Sequence, residues 1–229
     1  MKTFLQRAMM LTMGMVIVGC AGTSVKKEAF ARPQKLAVVT ITGAAHGLYT
    51  GNDEDAKILA EAAPACLGEI AKSANVRLLP AKAVLSSKAY AAIKDDGAPF
   101  MQQLVPGYKH FSPEDEQQNL KALAKEVHAD GFLILSLNYD KSESGVGLGL
   151  GRIGLSIGSV KPVITYVVAG VTPSGEKIWQ DMVRVESEDG ITTVMGIGSY
   201  ASLVPKLTPI TRSACQQSVK NLADQIAAK

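Results

Sequence analysis

The stretch from Gly145 to Ser159, GVGLGLGRIGLSIGS, matches two patterns that carry catalysis in other proteins. Residues 149–154 fit GxGxxG, whose glycines let the phosphates of a dinucleotide approach the backbone where a helix begins. Residues 154–158 fit GxSxG, which holds a nucleophilic serine on a sharp strand-to-helix turn. The two reactions to test against the flanking sequence are therefore hydride transfer and ester hydrolysis.

The flanking sequence supplies neither active site. Both patterns need a helix directly after the motif, whereas Pro162 and the β-branched run VITYVV follow here and favour a strand. A hydrolase with GxSxG also places its acid and its histidine after the serine. The histidines, His46, His110 and His128, all precede Ser156 and have no paired metal spacing. We therefore expect no catalytic residue, no metal and no cofactor, and we predict that the protein is not an enzyme.

In the same stretch apolar residues alternate with small residues, and this period of two is typical of the strands of a β-hairpin. One face is apolar and consists of Val146, Leu148, Leu150, Ile153, Leu155 and Ile157, while glycines leave the other face almost bare. Gly151-Arg152 is the expected turn. Because protein or lipid must cover such an apolar face, the hairpin at 144–160 packs on its own domain, docks a partner chain or faces a membrane.

The length of the two arms bears on the membrane alternative. Three apolar positions per arm cover roughly 16 Å at about 3.3 Å per residue. Membrane-spanning strands need about 9–11 residues and an apolar band about 25 Å tall. The arms are too short for this unless the strands extend through Ser142, Ser144 and Ser159.

A second kind of chemistry, lipid attachment, is indicated at the N-terminus. Lys2 and Arg7 precede an uncharged apolar run at residues 8–18, which fits an export signal. The run is too short for a membrane-spanning helix, which needs about 20 residues. The run ends in Ile-Val-Gly-Cys at residues 17–20, which resembles the lipobox of bacterial lipoproteins. The resemblance implies cleavage before Cys20 and acylation of its thiol and new amine, which together would anchor the chain permanently in a membrane.

The residues around Cys20 also predict the compartment and the domain boundaries. In bacterial lipoproteins an Asp after the cysteine favours inner-membrane retention, so Ala21 predicts the outer membrane with the domain in the periplasm. We expect a signal peptide at 1–19, the acylated cysteine with a flexible tether at 20–35, and one domain at 36–229. Cleavage lowers the formal charge from +3 to +1, which removes the electrostatic case for a nucleic-acid partner.

Cys66 and Cys215 are the two remaining cysteines. Each lies on the apolar face of a predicted helix, so both thiols should point into the core. An oxidising periplasm permits a disulfide between them. The alternative, two separately buried thiols, stays open from the sequence.

The remaining pattern predicts an α/β fold, namely a single sandwich domain with a mixed sheet, a C-terminal antiparallel strand pair, flanking helices and the protruding glycine-rich hairpin. Apolar or alternating runs predict strands over 36–41, 76–79, 132–139, 163–171 and 177–185. Helical periodicity and capping signals predict helices over 53–73, 80–94, 112–129 and from Thr208 to the end.

The segments LAVVTITG (36–43), LKALAKEVHADGFLILSLNYD (120–140) and ITYVVAGVTPSGEKIWQDMV (164–183) resemble the curli-secretion-channel (CsgG-like) lipoprotein superfamily. That group also includes the LpoB-type activators of cell-wall synthases and a fold related to the TolB N-terminal domain. The shared pattern is an Ala-Asp before a strand, here Ala129-Asp130, and a Thr-Gly-Glu-like turn, here 174–176. In the channel branch a glycine-rich hairpin at this place crosses the membrane, although the hairpin at 144–160 is short and the second insertion, 189–203, lacks clean alternation.

The resemblance implies a non-enzymatic, lipid-anchored envelope protein. Its partners would be the outer membrane, reached through the acyl chains on Cys20, and periplasmic or outer-membrane proteins that act in outer-membrane assembly, cell-wall synthesis control or secretion. A second copy of the chain is a further candidate partner. The alternative function is an oligomeric outer-membrane pore or secretion channel that uses the hairpin at 144–160.

Overall fold

The computed structural model describes residues 24–30, 34–45, 53–96, 102–103, 105–150, 153–194 and 204–228. The strands are β1 (Ser24–Val25), β2 (Gln34–Ala45), β3 (Val76–Leu78), β4 (Gln102–Gln103), β5 (Gly131–Leu150), β6 (Ile153–Val171), β7 (Lys177–Glu186) and β8 (Ile191–Val194). The helices are α1 (Asp53–Ser73), α2 (Ala81–Leu85), α3 (Lys88–Ala92), α4 (Gln117–Val127) and α5 (Val204–Ala227), and a 3-10 helix spans Lys27–Phe30.

The strands form one mixed sheet in the order β1-β7-β6-β5-β2-β3, with β4 paired to β2 and β8 paired to β6. β2 runs parallel to β3 and β5, while the β5–β6 and β6–β7 pairs are antiparallel. Helices pack on the sheet to form a single α/β domain. The fold class predicted from the sequence is therefore confirmed.

Helices α1 and α5 cover one face of the sheet, which we call the helix face. The odd-numbered residues of β5 from Leu133 to Tyr139 and the even-numbered residues of β6 from Val160 to Val168 point to it. These positions pack against apolar stripes on the two helices, which include Cys66, Leu67, Ile70, Leu207, Ile210, Ala214, Cys215 and Leu222. Because each buried aliphatic side chain stabilises the fold by roughly 1.5–3 kcal/mol, this layer is the main core.

Helices α2, α3 and α4 cover only the beginnings of β2 and β5 on the opposite face. The second apolar cluster joins Leu120 and Leu123 of α4 and Tyr90 of α3 to Val39 and Phe132 of the sheet. On β6 this cluster includes Val171 at the strand's end, and on β7 it includes no described residue. The rest of this face is thus left without a helix from the described part of the chain.

The predicted helix over 80–94 is two short helices. Ser87 takes an extended conformation with φ −73° and ψ 146°, and its hydroxyl accepts a hydrogen bond from the Tyr90 N–H. The Glu126 carboxylate accepts two more hydrogen bonds, from the backbone N–H groups of Lys88 and Ala89 at 3.0 and 2.9 Å. Satisfying these N-terminal donors favours a new helix start at this point.

Two other helix boundaries differ from the prediction. Residues 113–116 form a turn, so α4 begins at Gln117 rather than at Ser112. Its C-cap is His128 in the left-handed region with φ 54°. Helix α5 begins at Val204 and contains Pro209, which the sequence placed at its start.

Residues 24–30, which we call the N-terminal strap, are folded onto the domain. Ser24 and Val25 pair with Gln180 and Trp179 at the outer edge of β7, and the Lys26 N–H donates to the Ile178 carbonyl at 2.8 Å. Val25 and Ala29 pack against the main core. The flexible tether predicted over 20–35 is therefore wrong for these seven residues, because two small apolar side chains and an unpaired strand edge give the strap a place to dock.

Candidate interaction surface

The glycine-rich stretch forms the distal part of a long β5–β6 hairpin. Val146 pairs with Ile157, Leu148 with Leu155, and Leu150 with Ile153, and this register leaves two residues for the connection. Gly151-Arg152, the predicted turn, lies outside the described residues. Since directly opposed residues of a ladder share a face, this register assigns the six apolar positions to one side of the hairpin.

The hairpin projects past the rest of the sheet. Pairing with β2 ends at Tyr139, and pairing with β7 ends at Val163. Beyond these points the short β8 is the one strand of the described residues that pairs with the hairpin, along residues 157–160 of β6. From Asp140 to Leu150 the projection measures roughly 35 Å at about 3.3 Å per residue. Ser142, Ser144 and Ser159 belong to the strands, so each arm is longer than its three apolar positions.

The polarity of the hairpin inverts along its length. At the start of β5 the apolar residues, Leu133 to Tyr139, face the helix face, while Ser136, Asn138 and Asp140 face the other way. Beyond Ser144 the helix-face positions are glycines and Ser156, and the register assigns the apolar positions to the opposite side. The register of β5 and β6 has no shift that would exchange the faces. The apolar side of the hairpin therefore points away from the helices that bury the domain core.

Glycines at the base of the hairpin permit close approach. A Cβ atom at Gly145 would lie 3.0 Å from the Gly158 Cα and 3.1 Å from the Ile157 carbonyl oxygen. A Cβ atom at Gly190 would lie 2.7 Å from the Val160 carbonyl oxygen, where β8 begins its pairing with β6. The glycines here serve backbone packing between strands.

Both catalytic patterns lie within this β-ladder. Gly149 pairs with Gly154, and Ser156 pairs with Gly147, so the serine lies in a regular strand rather than on an elbow before a helix. The geometry that GxGxxG and GxSxG require is thus absent from residues 145–150 and 153–159. Among the described residues no group of three His, Cys, Asp or Glu side chains could hold a metal ion.

No described helix covers the side of β6 and β7 that faces away from α1 and α5, and we call this side the open face. It consists of Thr165, Val167 and Ala169 of β6 and Gln180, Met182 and Arg184 of β7. All six are half-buried or exposed, and the Met182 side chain is 39% exposed. Val163 is buried on the same side, between the open face and the hairpin.

Ile157 and Met182 are the large apolar side chains that are exposed among those described. Ile157 is 52% exposed and was predicted as part of the hairpin face. The sequence analysis did not single out Met182. Its signal was the alternation in KIWQDMVRV, which puts Met182 and Trp179 on opposite sides of β7.

Cys66 of α1 and Cys215 of α5 form a disulfide with a Cα–Cα distance of 5.7 Å. Both residues belong to the main core. The Tyr166 hydroxyl donates a hydrogen bond to the Cys66 sulfur at 3.1 Å. The bridge joins the two helices of the helix face, and a small cleft of about 250 Å³ lies against it, lined by Glu61, Ala62, Glu69, Thr208, Thr211 and Arg212.

Two buried tyrosines under these helices form hydrogen bonds to neighbouring side chains. Thr211 donates to the Leu207 carbonyl at 2.7 Å, so the Tyr139 hydroxyl donates to Thr211 at 2.8 Å. Burial raises the pKa of Tyr139 to about 12. Burial, and to a lesser degree the Asp181 carboxylate, raises the pKa of Tyr166 far above its usual value. These tyrosines act as neutral hydrogen-bond donors that hold the sheet to α1 and α5.

Asp181 is a buried carboxylate on the helix-face side of β7. It is 1% exposed, and the Asn221 amide of α5 donates to both of its oxygens at 3.3 Å. A buried charge needs such partners to be tolerated. This contact fixes α5 against β7 on the side opposite Met182, and the sequence alone gave no signal for it.

None of the described helices has the length and apolar composition of a membrane-spanning segment. Cys20 lies outside the described residues, so the structure carries no information on the predicted acylation.

Comparison with known proteins found no matching family model and no matching curated protein. One similar solved structure is a neuraminyllactose-binding hemagglutinin homolog from Helicobacter pylori, at 10% identity and a TM-score of 0.37, covering 86% of each chain. Another is the hypothetical protein CT253 from Chlamydia trachomatis, at 11% identity and a TM-score of 0.35, covering 86% of this chain and 100% of that one. At these TM-scores neither likeness bears on function.

Proposed function

We propose that the chain is a non-enzymatic, lipid-anchored envelope protein of the outer membrane whose periplasmic domain binds partner proteins. Its partners would act in outer-membrane assembly, cell-wall synthesis control or secretion. The anchor is the acylated Cys20, and the contact surface is the apolar side of the hairpin at 144–160.

The inversion of polarity in the hairpin carries this proposal. An apolar side that belonged to the domain's own core would continue the helix-face pattern of Leu133 to Tyr139. It lies on the other side instead, and it begins where pairing with β2 and β7 has ended. Something other than α1 and α5 must cover it, since an apolar strip of this length is unfavourable in water.

A pore or secretion channel is the second candidate, and the uncharged length of the hairpin favours it. No charged residue occurs from Ser144 to Leu150 or from Ile153 to Val160. The seven residues 144–150 measure roughly 23 Å in a strand that stands upright in the membrane. The apolar band of membrane-spanning strands is about 25 Å tall, so this length is close to sufficient. At the usual tilt of about 45° the rise falls to roughly 16 Å, which is too short. We therefore rank the partner-binding function first.

The test introduces opposed carboxylates at two levels of the hairpin. Leu148→Asp with Leu155→Asp places a pair on the apolar strip, and Ser144→Asp with Ser159→Asp places an equally opposed pair at the polar base. After crosslinking in cells, the first variant should lose the proteins that co-purify with the parent, and the control should keep them. Burying one unpaired carboxylate costs several kcal/mol, so the loss should be nearly complete.

Thermal unfolding shows whether a loss of co-purifying proteins reflects a lost contact or an unfolded domain. Both variants should unfold at nearly the parent temperature, because the hairpin projects from the domain. If the Leu148/Leu155 variant unfolds the domain, the hairpin is part of its own core and the proposal is wrong. A detergent-stable ring with ion conductance in planar bilayers, lost in the same variant, would instead support the channel.

A further inference from the structure

The open face lies beside the point where the lipid anchor enters the domain. Ser24 is the first residue of the strap and pairs with Gln180, two residues before Met182 on β7. Three residues lie between Cys20 and Ser24, so four Cα–Cα steps put the Cys20 Cα at most about 14 Å from the Ser24 Cα. Strand spacings of about 4.8 Å between chains and about 3.3 Å along them place Met182 roughly 8 Å from Ser24. The acylated residue cannot move far from the open face while the strap is docked.

Two faces of the domain flank the sheet edge at which the strap lies, and they differ in polarity. The outer surface of α5, on the helix-face side, presents Gln216, Gln217, Lys220 and Asp224 among its exposed residues. The open face presents Met182 together with half-buried Val167 and Ala169. Lipid contact favours the side that offers apolar groups.

We infer that the open face rests on the surface of the membrane that holds Cys20, so that the sheet lies along the membrane and the hairpin extends sideways over it. This inference rests on the proposed function, because it requires the acyl anchor. The hairpin then reaches roughly 35 Å along the membrane surface, at about 3.3 Å per residue. Its apolar side lies on the same side of the sheet as the open face, so it turns toward that membrane and the proteins embedded in it.

The charges bordering the open face predict which lipids matter. Arg184, which belongs to the open face, and Lys161 beside it are balanced by Asp140 and Glu186, and Lys161 pairs with Glu186 at 3.9 Å. With no net charge on this surface, attraction to anionic headgroups contributes little. Contact should therefore form on zwitterionic vesicles and should not depend on salt.

The experiment measures lipid contact at single labelled sites of the full-length acylated protein. A fluorophore is attached at Met182→Cys on the open face or, as a matched control, at Lys220→Cys on the exposed side of α5. Both positions are solvent-exposed, so the labels should not disturb folding. Each protein is reconstituted in phosphatidylcholine vesicles that contain a fraction of acyl-brominated lipid, which quenches fluorescence only at short range. Mass spectrometry first confirms the acyl groups.

We expect the Met182 label to be quenched several-fold more strongly than the Lys220 label, equally at low and high salt and with or without anionic lipid. Equal weak quenching of both labels in an acylated protein would overturn the inference and leave the anchor intact. Strong quenching at Ile157→Cys together with none at Met182→Cys would also overturn it, in favour of a hairpin that crosses the membrane.

Two further outcomes would show that a second copy of the chain covers the open face or that the acyl anchor is absent. A Met182 label that is shielded from aqueous iodide but not quenched by lipid, with shielding that grows with protein density, would show that a second copy covers the open face and would overturn the inference. A protein without acyl groups would overturn the proposed anchoring and this inference with it.

Discussion

Replacing Cys66 and Cys215 together with alanine should lower the free energy of unfolding by about 5 kcal/mol. The disulfide joins residues 149 positions apart in the chain. In the chain-entropy model, closing a loop of that length removes about 17 cal/mol/K from the unfolded state, or about 5 kcal/mol at 25 °C. The substitution acts mainly on the unfolded chain, so the folded domain should keep its strand and helix content.

The loss of about 5 kcal/mol also predicts a lower melting temperature. Unfolding entropy of about 2.1 cal/mol/K per residue gives roughly 0.4 kcal/mol/K for a domain of this size. The melting temperature should therefore fall by about 12 °C. Circular dichroism of the acylated protein in detergent, followed during heating and in a urea series, measures both quantities.

A serine control separates the bridge from the hydrogen bond beside it. In the alanine variant the buried Tyr166 hydroxyl loses the Cys66 sulfur as its acceptor, which costs about 1 kcal/mol more. Cys66→Ser with Cys215→Ser keeps an acceptor at that position and should recover part of this loss. A fall of less than about 1 kcal/mol in both variants would refute the chain-entropy reasoning. Two reactive thiols in the unfolded, non-reduced parent would refute the bridge itself.

The remaining predictions concern the anchor and the buried hydroxyl groups. Cys20→Ala should abolish metabolic labelling with fatty acid and partition into the outer membrane, and unchanged partition would remove the lipobox interpretation. Thr211→Val removes the acceptor of the Tyr139 hydroxyl and should cost about 1–3 kcal/mol in urea unfolding, whereas adding Tyr139→Phe should restore part of it. Because the pKa of Tyr139 is raised to about 12 in the folded state, stability should be constant below pH 10 and fall as pH rises from 10 to 12. Tyr139→Phe should make that fall shallower without removing it, because the pKa of buried Tyr166 is raised as well, and an unchanged profile would contradict the assignment.

Local patterns predicted the elements that local physics determines. The bounds of α1, Asp53–Ser73, agree with the sequence analysis, because acids at its start and a long apolar stripe specify a helix without outside help. The hairpin register agrees as well, since alternation with a two-residue turn leaves one way to pair Leu150 with Ile153. Trp179 was expected on a strand, and it is buried there.

Contacts between distant residues produced the differences. The break between α2 and α3 depends on the Glu126 carboxylate, which lies 38 residues from Lys88 in sequence. The strap pairs with the free edge of β7. The sequence alone does not show that β7 has a free edge, because this depends on the order of the strands in the sheet. The pairing of Tyr166 with the disulfide likewise needs β6, α1 and α5 to be in place. Side-chain periodicity contains none of this information.

The glycine-rich hairpin shows how the two kinds of information combine. Alternation alone establishes that one side is apolar, but it cannot state which side, because a shift by one residue exchanges the faces. The register of β5 with β2 and β6 settles this, and it puts the apolar side opposite α1 and α5. On the helix-face side the main core extends to Val160, which pairs with Glu143, and the glycines begin directly after this level at Gly145 and Gly158. The helices α1 and α5 therefore do not cover the apolar side of the hairpin, and this inversion of polarity at Ser144 is the observation on which we propose a partner-binding surface.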